Sequence, residues 1–202
     1  NWNSGLRETP SWEIAGKCVG IVGMGAIGQR VAKMLVGYDC DTVYYKRTRV
    51  SAELEQELHA RYLPLDELLQ VSDVVTMHNS LNKSTIGMIG KEQLALMKPT
   101  GIIINIARGG IIDEPALIEA LRSGKIRGAG LDVFEQEPVD PGNPLLQMEN
   151  VITAPHIAGQ STRSAWLSRQ RASQQVAAVL RGEWPSAGQN PEVASKLDQK
   201  RR

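Results

Sequence analysis

Apolar residues in this chain fall into short unbroken runs, separated by segments in which they recur at helical spacing. Runs of that length and continuity suit strands buried on both faces of a sheet. The first, about 17–22, contains Cys18-Val19-Gly20-Ile21-Val22 and leads into a helix over about 26–36. Asp41 to Lys46, rich in Val, Thr and Tyr, reads as a second strand, and Ser51 opens a polar helix through about Ala60. After the turn at Leu63-Pro64 come a short amphipathic helix, Leu65 to Leu69, and a strand, Asp73 to His78. Lys91 to Met97 is helical and stops before Pro99. Gly101 to Ile106 is apolar almost without alternation. Asp113 suits an N-cap and Pro115 a first helical turn, for a helix that ends at Ser123-Gly124. Strands over 128–133 and 150–153 precede a long helix from about Ser161 to Arg181, with Gly182 just beyond it.

Strands alternating with helices imply crossover connections and an α/β fold with a doubly wound parallel sheet. Residues 1–16 show no sustained period and read as an entry arm, 17–160 as the sheet domain, 161–182 as the long C-terminal helix and 183–202 as a tail.

The turn after the first strand is Gly23-Met24-Gly25-Ala26-Ile27-Gly28, a Gly-x-Gly-x-x-Gly spacing between a strand and a helix. In that setting the motif is a dinucleotide cradle, and the fold a Rossmann fold. Gly23 permits the tight turn, Gly25 lets the backbone approach a pyrophosphate, and Gly28 lets helix and strand pack closely. The N–H groups of the helix start, around Ala26 and Ile27, then face the negative charge.

The end of the second strand selects between cofactors. An NAD site has a carboxylate there for the ribose 2′-OH. This chain has Tyr45-Lys46-Arg47-Thr48-Arg49, with three cations and no acid. Lys46, Arg47 and Arg49 suit a 2′-phosphate, so NADP(H) is expected in preference to NAD(H).

Composition narrows the class only a little. With 202 residues, 42% hydrophobic and 22% charged, the chain is long enough for a real core. Basic and acidic side chains number 23 and 22, a net charge of +1, so no global field points to nucleic acid or an anionic membrane as a partner. Cys18 and Cys40 fit no metal-ligand spacing and read as small buried hydrophobes in a reducing, cytoplasmic compartment. No apolar run approaches a membrane span and no secretory leader is visible. The first residue is Asn rather than Met.

Three polar residues stand at predicted strand ends on one edge of the sheet, where open α/β sheets bind ligands. They are Arg108, Glu137 and His156. Hydride transfer to a 2-keto acid needs a cation for the carboxylate or carbonyl and a proton donor for the developing alkoxide. Arg108 and His156 fit those needs, and a carboxylate on the imidazole, Glu137, would fix its tautomer and favour its charged form.

From about Trp12 to Gly159 the chain resembles the D-isomer-specific 2-hydroxyacid dehydrogenases, which include phosphoglycerate, glyoxylate/hydroxypyruvate and formate dehydrogenases. The resemblance lies in the glycine triplet, in Asp73-Val74-Val75-x-x-His78 with Leu81 and Thr85, and in Asn105-x-Ala107-Arg108-Gly109 with Asp113. It continues in Gly128-Ala129-x-Leu131-Asp132-Val133-Phe134 with Glu137-Pro138, and in Pro155-His156-Ile157-x-Gly159. It implies that Arg108, Glu137 and His156 are the catalytic residues and that Asp132 contacts the nicotinamide carboxamide. It also implies that Asn79, Ser80 and Thr85, with Ala107 and Gly159, line the cofactor, that the substrate is a small 2-keto or 2-hydroxy acid, and that two copies pair as a homodimer. Ser80 and Asn82 stand where many members have Pro and Thr, and Ala158 where many have Gly.

Family members carry a substrate domain built mainly from about a hundred N-terminal residues, so the chain is expected to be the cofactor-binding half, with the substrate domain largely absent. Two other functions are compatible with the same residues: a nucleotide-sensing, corepressor-like dimerisation module, and a dehydrogenase of a different acid such as phosphite.

Overall fold

The structure, a computed structural model, describes residues 12–188 and 190–193. Most of the expected entry arm, including Trp2 and Pro10, and the basic end of the tail, Lys200-Arg201-Arg202, lie outside the described residues. Two compact units are distinguished, the first ending at His156 and the second beginning at Ile157.

The first unit is built on a seven-stranded sheet, every neighbouring pair parallel. Its strands are β1 (Cys18–Val22), β2 (Asp41–Tyr45), β3 (Ala60–Tyr62), β4 (Val74–Met77), β5 (Ile102–Asn105), β6 (Gly128–Leu131) and β7 (Val151–Thr153). The order across the sheet is β3-β2-β1-β4-β5-β6-β7, so the chain changes direction of travel between β1 and β4. A crevice opens at such a reversal, beyond the carboxyl ends of the strands. The expected doubly wound parallel sheet is therefore the observed one.

Among the described residues this unit has five α-helices: α1 (Ala26–Leu35), α2 (Ala52–Glu57), α3 (Leu65–Val71), α4 (Lys91–Leu96) and α5 (Glu114–Arg122). Alternate strand residues feed two apolar clusters. Val22, Val43, Val75, Met77 and Ile103 pack with Leu68 and Leu69 of α3, Leu94 of α4 and Leu117 and Leu121 of α5. Val19, Ile21, Tyr44 and Val74 pack with Ala32 and Leu35 of α1 and with Leu58. Strands buried on both faces in this way produce the unbroken apolar runs of the sequence. Trp12 and Ile14 also pack against the second cluster, so the described end of the arm joins the core.

One expectation needs correction. The polar helix predicted through Ala60 ends at Glu57, His59 turns the chain at φ 48°, and Ala60–Tyr62 joins the sheet edge as β3. Three residues are too few for a period to show, and Ala and Arg are weak strand formers. The N-caps predicted from composition are present: Ser51 accepts from the Leu54 N–H and Asp113 from the Ala116 N–H.

The second unit is dominated by α6 (Thr162–Leu180), which starts at a Ser161–Ser164 capping box. No described helix is long and apolar enough to cross a membrane.

Candidate functional site

The residues singled out from sequence in the first unit gather where the carboxyl ends of six strands meet. Gly23 follows β1, Lys46 follows β2, Asn79 and Ser80 follow β4, Ala107 and Arg108 follow β5, Asp132 follows β6, and His156 follows β7. Parallel strands place all these ends on one edge of the sheet.

Each glycine of the β1–α1 turn meets a different constraint. Gly23 has φ 106°, and a Cβ there would lie 2.5 Å from the Asn79 backbone nitrogen. At Gly28 a Cβ would lie 2.1 Å from the Gly23 carbonyl oxygen. At Gly25 a Cβ would meet nothing within 4 Å, so the protein itself does not demand glycine. Gly25 is the helix N-cap yet offers no side-chain acceptor, which leaves the first-turn N–H groups of α1 to a ligand or to water. An open approach and uncapped donors together fit a pyrophosphate.

That turn floors a cleft of about 400 Å³ lined by Gly23, Gly25, Lys46, Arg47, Thr48, Asn79, Ser80 and Thr85, among others. Arg49 is not among its lining residues. Its guanidinium is instead held by Glu55, through Nε at 2.7 Å and Nη2 at 2.6 Å. The cations facing the cleft are therefore Lys46 and Arg47.

The loop after β4 forms the opposite wall. Thr85 Oγ1 donates to the Ser80 carbonyl at 2.7 Å and accepts the Asn82 N–H at 2.8 Å. Asn82 Oδ1 in turn accepts the Ser84 N–H, so the polar residues that replace the family's usual Pro and Thr close the loop on itself. Asn79 Oδ1 is different: it is buried and has no hydrogen-bond partner. An acceptor left unpaired in a cleft wall is costly unless a ligand donor reaches it.

A second cleft, of about 510 Å³, shares His78, Asn79 and Ser80 with the first and extends to Ile27, Ala107 and Arg108. Asn105 shapes its far end. Buried at the tip of β5, it donates from Nδ2 to the Arg108 carbonyl and accepts the Ala107 N–H, and so fixes the turn that carries Arg108. Gly109 seats that turn, since a Cβ there would strike the Phe134 backbone at 1.9 Å.

A third cleft, of about 620 Å³, contains Asp132, Glu137 and His156 beside Phe134, Val139 and Leu146. His156 Nδ1 lies 2.7 Å from Glu137 Oε2, and the His156 N–H donates to the Asp132 carbonyl at 2.8 Å. The Glu137 carboxyl is held below its ordinary range, chiefly by the His156 hydrogen bond, with the Phe134 N–H and the charges of His156 and Arg108 adding to it.

The comparison with known proteins agrees with this geometry. The model of the D-isomer specific 2-hydroxyacid dehydrogenase NAD binding domain matches residues 1–158. The chain belongs to that family.

Among curated relatives, the glyoxylate reductase of Pyrococcus furiosus is 44% identical over 193 residues, covering 94% of this chain and 57% of the relative. That of Korarchaeum cryptofilum is 44% identical over 182 residues, covering 90% and 54%. Among solved structures, D-lactate dehydrogenase with NAD+ from Lactobacillus jensenii superposes with a TM-score of 0.81 at 34% identity, over 87% of this chain and 56% of that one. The chain thus spans a little over half the length of these relatives. Within the 2-hydroxyacid dehydrogenase family this is the nicotinamide-cofactor domain. The open Gly25, the uncapped α1 and the orphaned Asn79 acceptor fit such a group.

Two residues of the family domain were not assigned to the site from sequence. His78 lines both cofactor-side clefts, its Nε2 3.0 Å from Thr76 Oγ1, and burial pushes its pKa down. Asn105 stands in the Asn105-x-Ala107-Arg108-Gly109 motif without a role of its own in the sequence. Its signal was a polar residue ending an otherwise apolar strand. Gly159, expected to line the cofactor, belongs to the second unit, where its carbonyl accepts from Ser164 Oγ.

Proposed function

We propose that this domain binds NADP(H) and supplies the catalytic arginine, glutamate and histidine of a reductase of small 2-keto acids. The observation that carries the reading is the 2.7 Å contact of His156 Nδ1 with Glu137 Oε2, on the sheet edge that also holds Arg108 and the glycine turn. A bound reduced nicotinamide supplies the hydride. His156, oriented by Glu137 through Nδ1, protonates the developing alkoxide from its charged form. Arg108 attracts the substrate carboxylate or carbonyl, and its charge favours the anion as it forms. Asp132 holds the carboxamide end of the cofactor. Ser80, Thr85 and Ala107 line its path.

Preference for NADP(H) follows from Lys46 and Arg47, which line the cleft at the end of β2 where a carboxylate would serve NAD. The relatives extend beyond the matched region, and residues outside it would complete the cleft that positions the substrate. Two copies pair through this domain. Met34 and Tyr38, exposed on α1 and the turn after it, support that pairing.

The test is a fluorescence titration with NADPH and NADH, followed by NADPH oxidation with glyoxylate and hydroxypyruvate in the enzyme carrying its substrate domain. Tighter NADPH binding and turnover of a 2-keto acid are expected. Equal affinities would remove the cofactor assignment, and no oxidation with any 2-keto acid would remove the reductase.

A further inference from the structure

The loop from β2 to α2 is tied down at one carboxylate. Glu55 Oε1 accepts from Arg49 Nε at 2.7 Å and from Tyr44 Oη at 2.6 Å, while Oε2 accepts from Arg49 Nη2 at 2.6 Å. The same Tyr44 hydroxyl accepts the Val50 N–H at 3.1 Å. Tyr44 is fully buried, and its ring meets Tyr62 edge-on at 5.6 Å. The Arg49 guanidinium lies 5.8 Å over the Tyr62 ring. The segment Lys46 to Val50 is thereby fastened at Arg49 and Val50, leaving Lys46, Arg47 and Thr48 along the cleft.

An exposed ion pair is ordinarily worth little. This one differs because only Arg49 is exposed, at 60%, whereas the Glu55 side chain is 12% exposed. Replacing the carboxylate by an amide leaves one uncharged acceptor oxygen for Tyr44 Oη and Arg49 Nε and none for Arg49 Nη2, so the loop loosens at both anchors together.

We propose that Glu55 is a positioning residue for cofactor selectivity, holding Lys46 and Arg47 at the 2′-phosphate while keeping Arg49 out of the phosphate-binding set. The inference rests on the NADP(H) reading above. Arg49 and Glu55 therefore act on selectivity without touching the cofactor.

The experiment measures NADPH and NADH affinity by fluorescence for the chain and its Glu55→Gln variant, with hydrogen exchange at the Val50 amide read in parallel. The expected result is an NADPH dissociation constant raised about tenfold, NADH affinity within about twofold of the parent, and faster Val50 exchange. Restoring the carboxylate as Glu55→Asp should recover part of the selectivity. Tighter NADPH binding in Glu55→Gln would mean that the freed Arg49 reaches the phosphate, and would overturn the proposal. So would an unchanged NADPH-to-NADH ratio with faster Val50 exchange. Should Glu55→Gln fail to fold, Arg49→Lys breaks the paired contact, leaves Glu55 on Tyr44, and is read in the same way. A parent chain with no NADPH preference defeats both this inference and the reading beneath it. A preference that Glu55→Gln leaves intact defeats the inference alone.

Discussion

Glu137 bridges two strand ends: Oε2 lies 2.7 Å from His156 Nδ1, and Oε1 accepts the Phe134 N–H at 3.1 Å. The carboxylate that orients the imidazole is itself held by backbone from the loop after β6. His156 stands at φ 56°, a left-handed conformation that side chains seldom adopt, and its N–H is fixed on the Asp132 carbonyl. The imidazole is thus placed by its backbone and by Glu137 rather than by burial.

The Glu137–His156 contact makes stability depend on pH in a defined direction. The folded carboxyl titrates below its ordinary value of 4.5, chiefly because of the His156 hydrogen bond. Its contribution is therefore complete above that value and is lost as pH falls through the lower, folded one. Glu137→Gln should melt at a lower temperature than the parent at pH 7, and the gap should narrow on acidification below about pH 4.5. Thermal melts of both proteins from pH 7 to pH 3 check this; a gap independent of pH would show that the charge contributes nothing.

The three glycines should separate experimentally. Gly28→Ala places a methyl 2.1 Å from the Gly23 carbonyl oxygen, a backbone atom that cannot swing aside. It should cost about 3 kcal/mol or more, read by urea denaturation. Gly25→Ala has nothing within 4 Å, and its weaker N-capping is offset in part by the lower entropy of the unfolded chain, so the apo chain should stay within about 1 kcal/mol of the parent. It should nevertheless weaken NADPH binding at least tenfold, because the added methyl stands where the pyrophosphate approaches. Equal destabilisation by the two changes would contradict these separate roles.

Much of the sheet was legible because strands buried on two faces leave continuous apolar runs, as in Ile102-Ile103-Ile104, and because Asp113 and Ser51 announce helix starts. β3 was not legible, since Ala60-Arg61-Tyr62 has no pattern of its own and joins the sheet only after the turn at His59. The glycine turn and the Glu137–His156 pair followed from spacing and order. Arg49 marks the limit of that approach: three cations in a row look equivalent in sequence. Only the fold shows that Glu55, on the next helix, pairs with one of them. Gly20 was equally silent, although a Cβ there would lie 2.3 Å from Ser72 Oγ.

Charge at the end of β2 gives a direct handle on cofactor choice. Arg47 lines the cleft, whereas Arg49 is paired with Glu55. Arg47→Asp supplies a carboxylate for a ribose 2′-OH and repels a 2′-phosphate, so it should reverse the preference toward NADH. Arg49→Asp should act mainly by releasing the loop and should not create an NADH site. Dissociation constants for both cofactors at two salt concentrations decide the matter, because NADPH binding to the parent should weaken more with salt than NADH binding does. An Arg47→Asp variant that keeps the parent preference would place the phosphate elsewhere.

Asn79 opposes stability to binding. Its Oδ1 is buried without a partner, and its Nδ2 makes only a 3.8 Å contact with Met88 Sδ. The apo chain therefore bears the desolvation of an acceptor that receives nothing in return, about 1–3 kcal/mol for such a group. Leucine has nearly the same shape and no polar atom. Asn79→Leu should leave the apo chain unchanged or more stable by about 1 kcal/mol in urea denaturation, since the orphaned acceptor is removed and the volume is kept. The same change should weaken NADPH binding about fivefold to tenfold, because a donor on the cofactor side then faces a methyl group. NADPH should consequently raise the melting temperature of the parent more than that of the variant, reversing their order of stability as cofactor is added. A variant less stable than the parent both with and without NADPH would mean that Asn79 serves the fold and not the ligand.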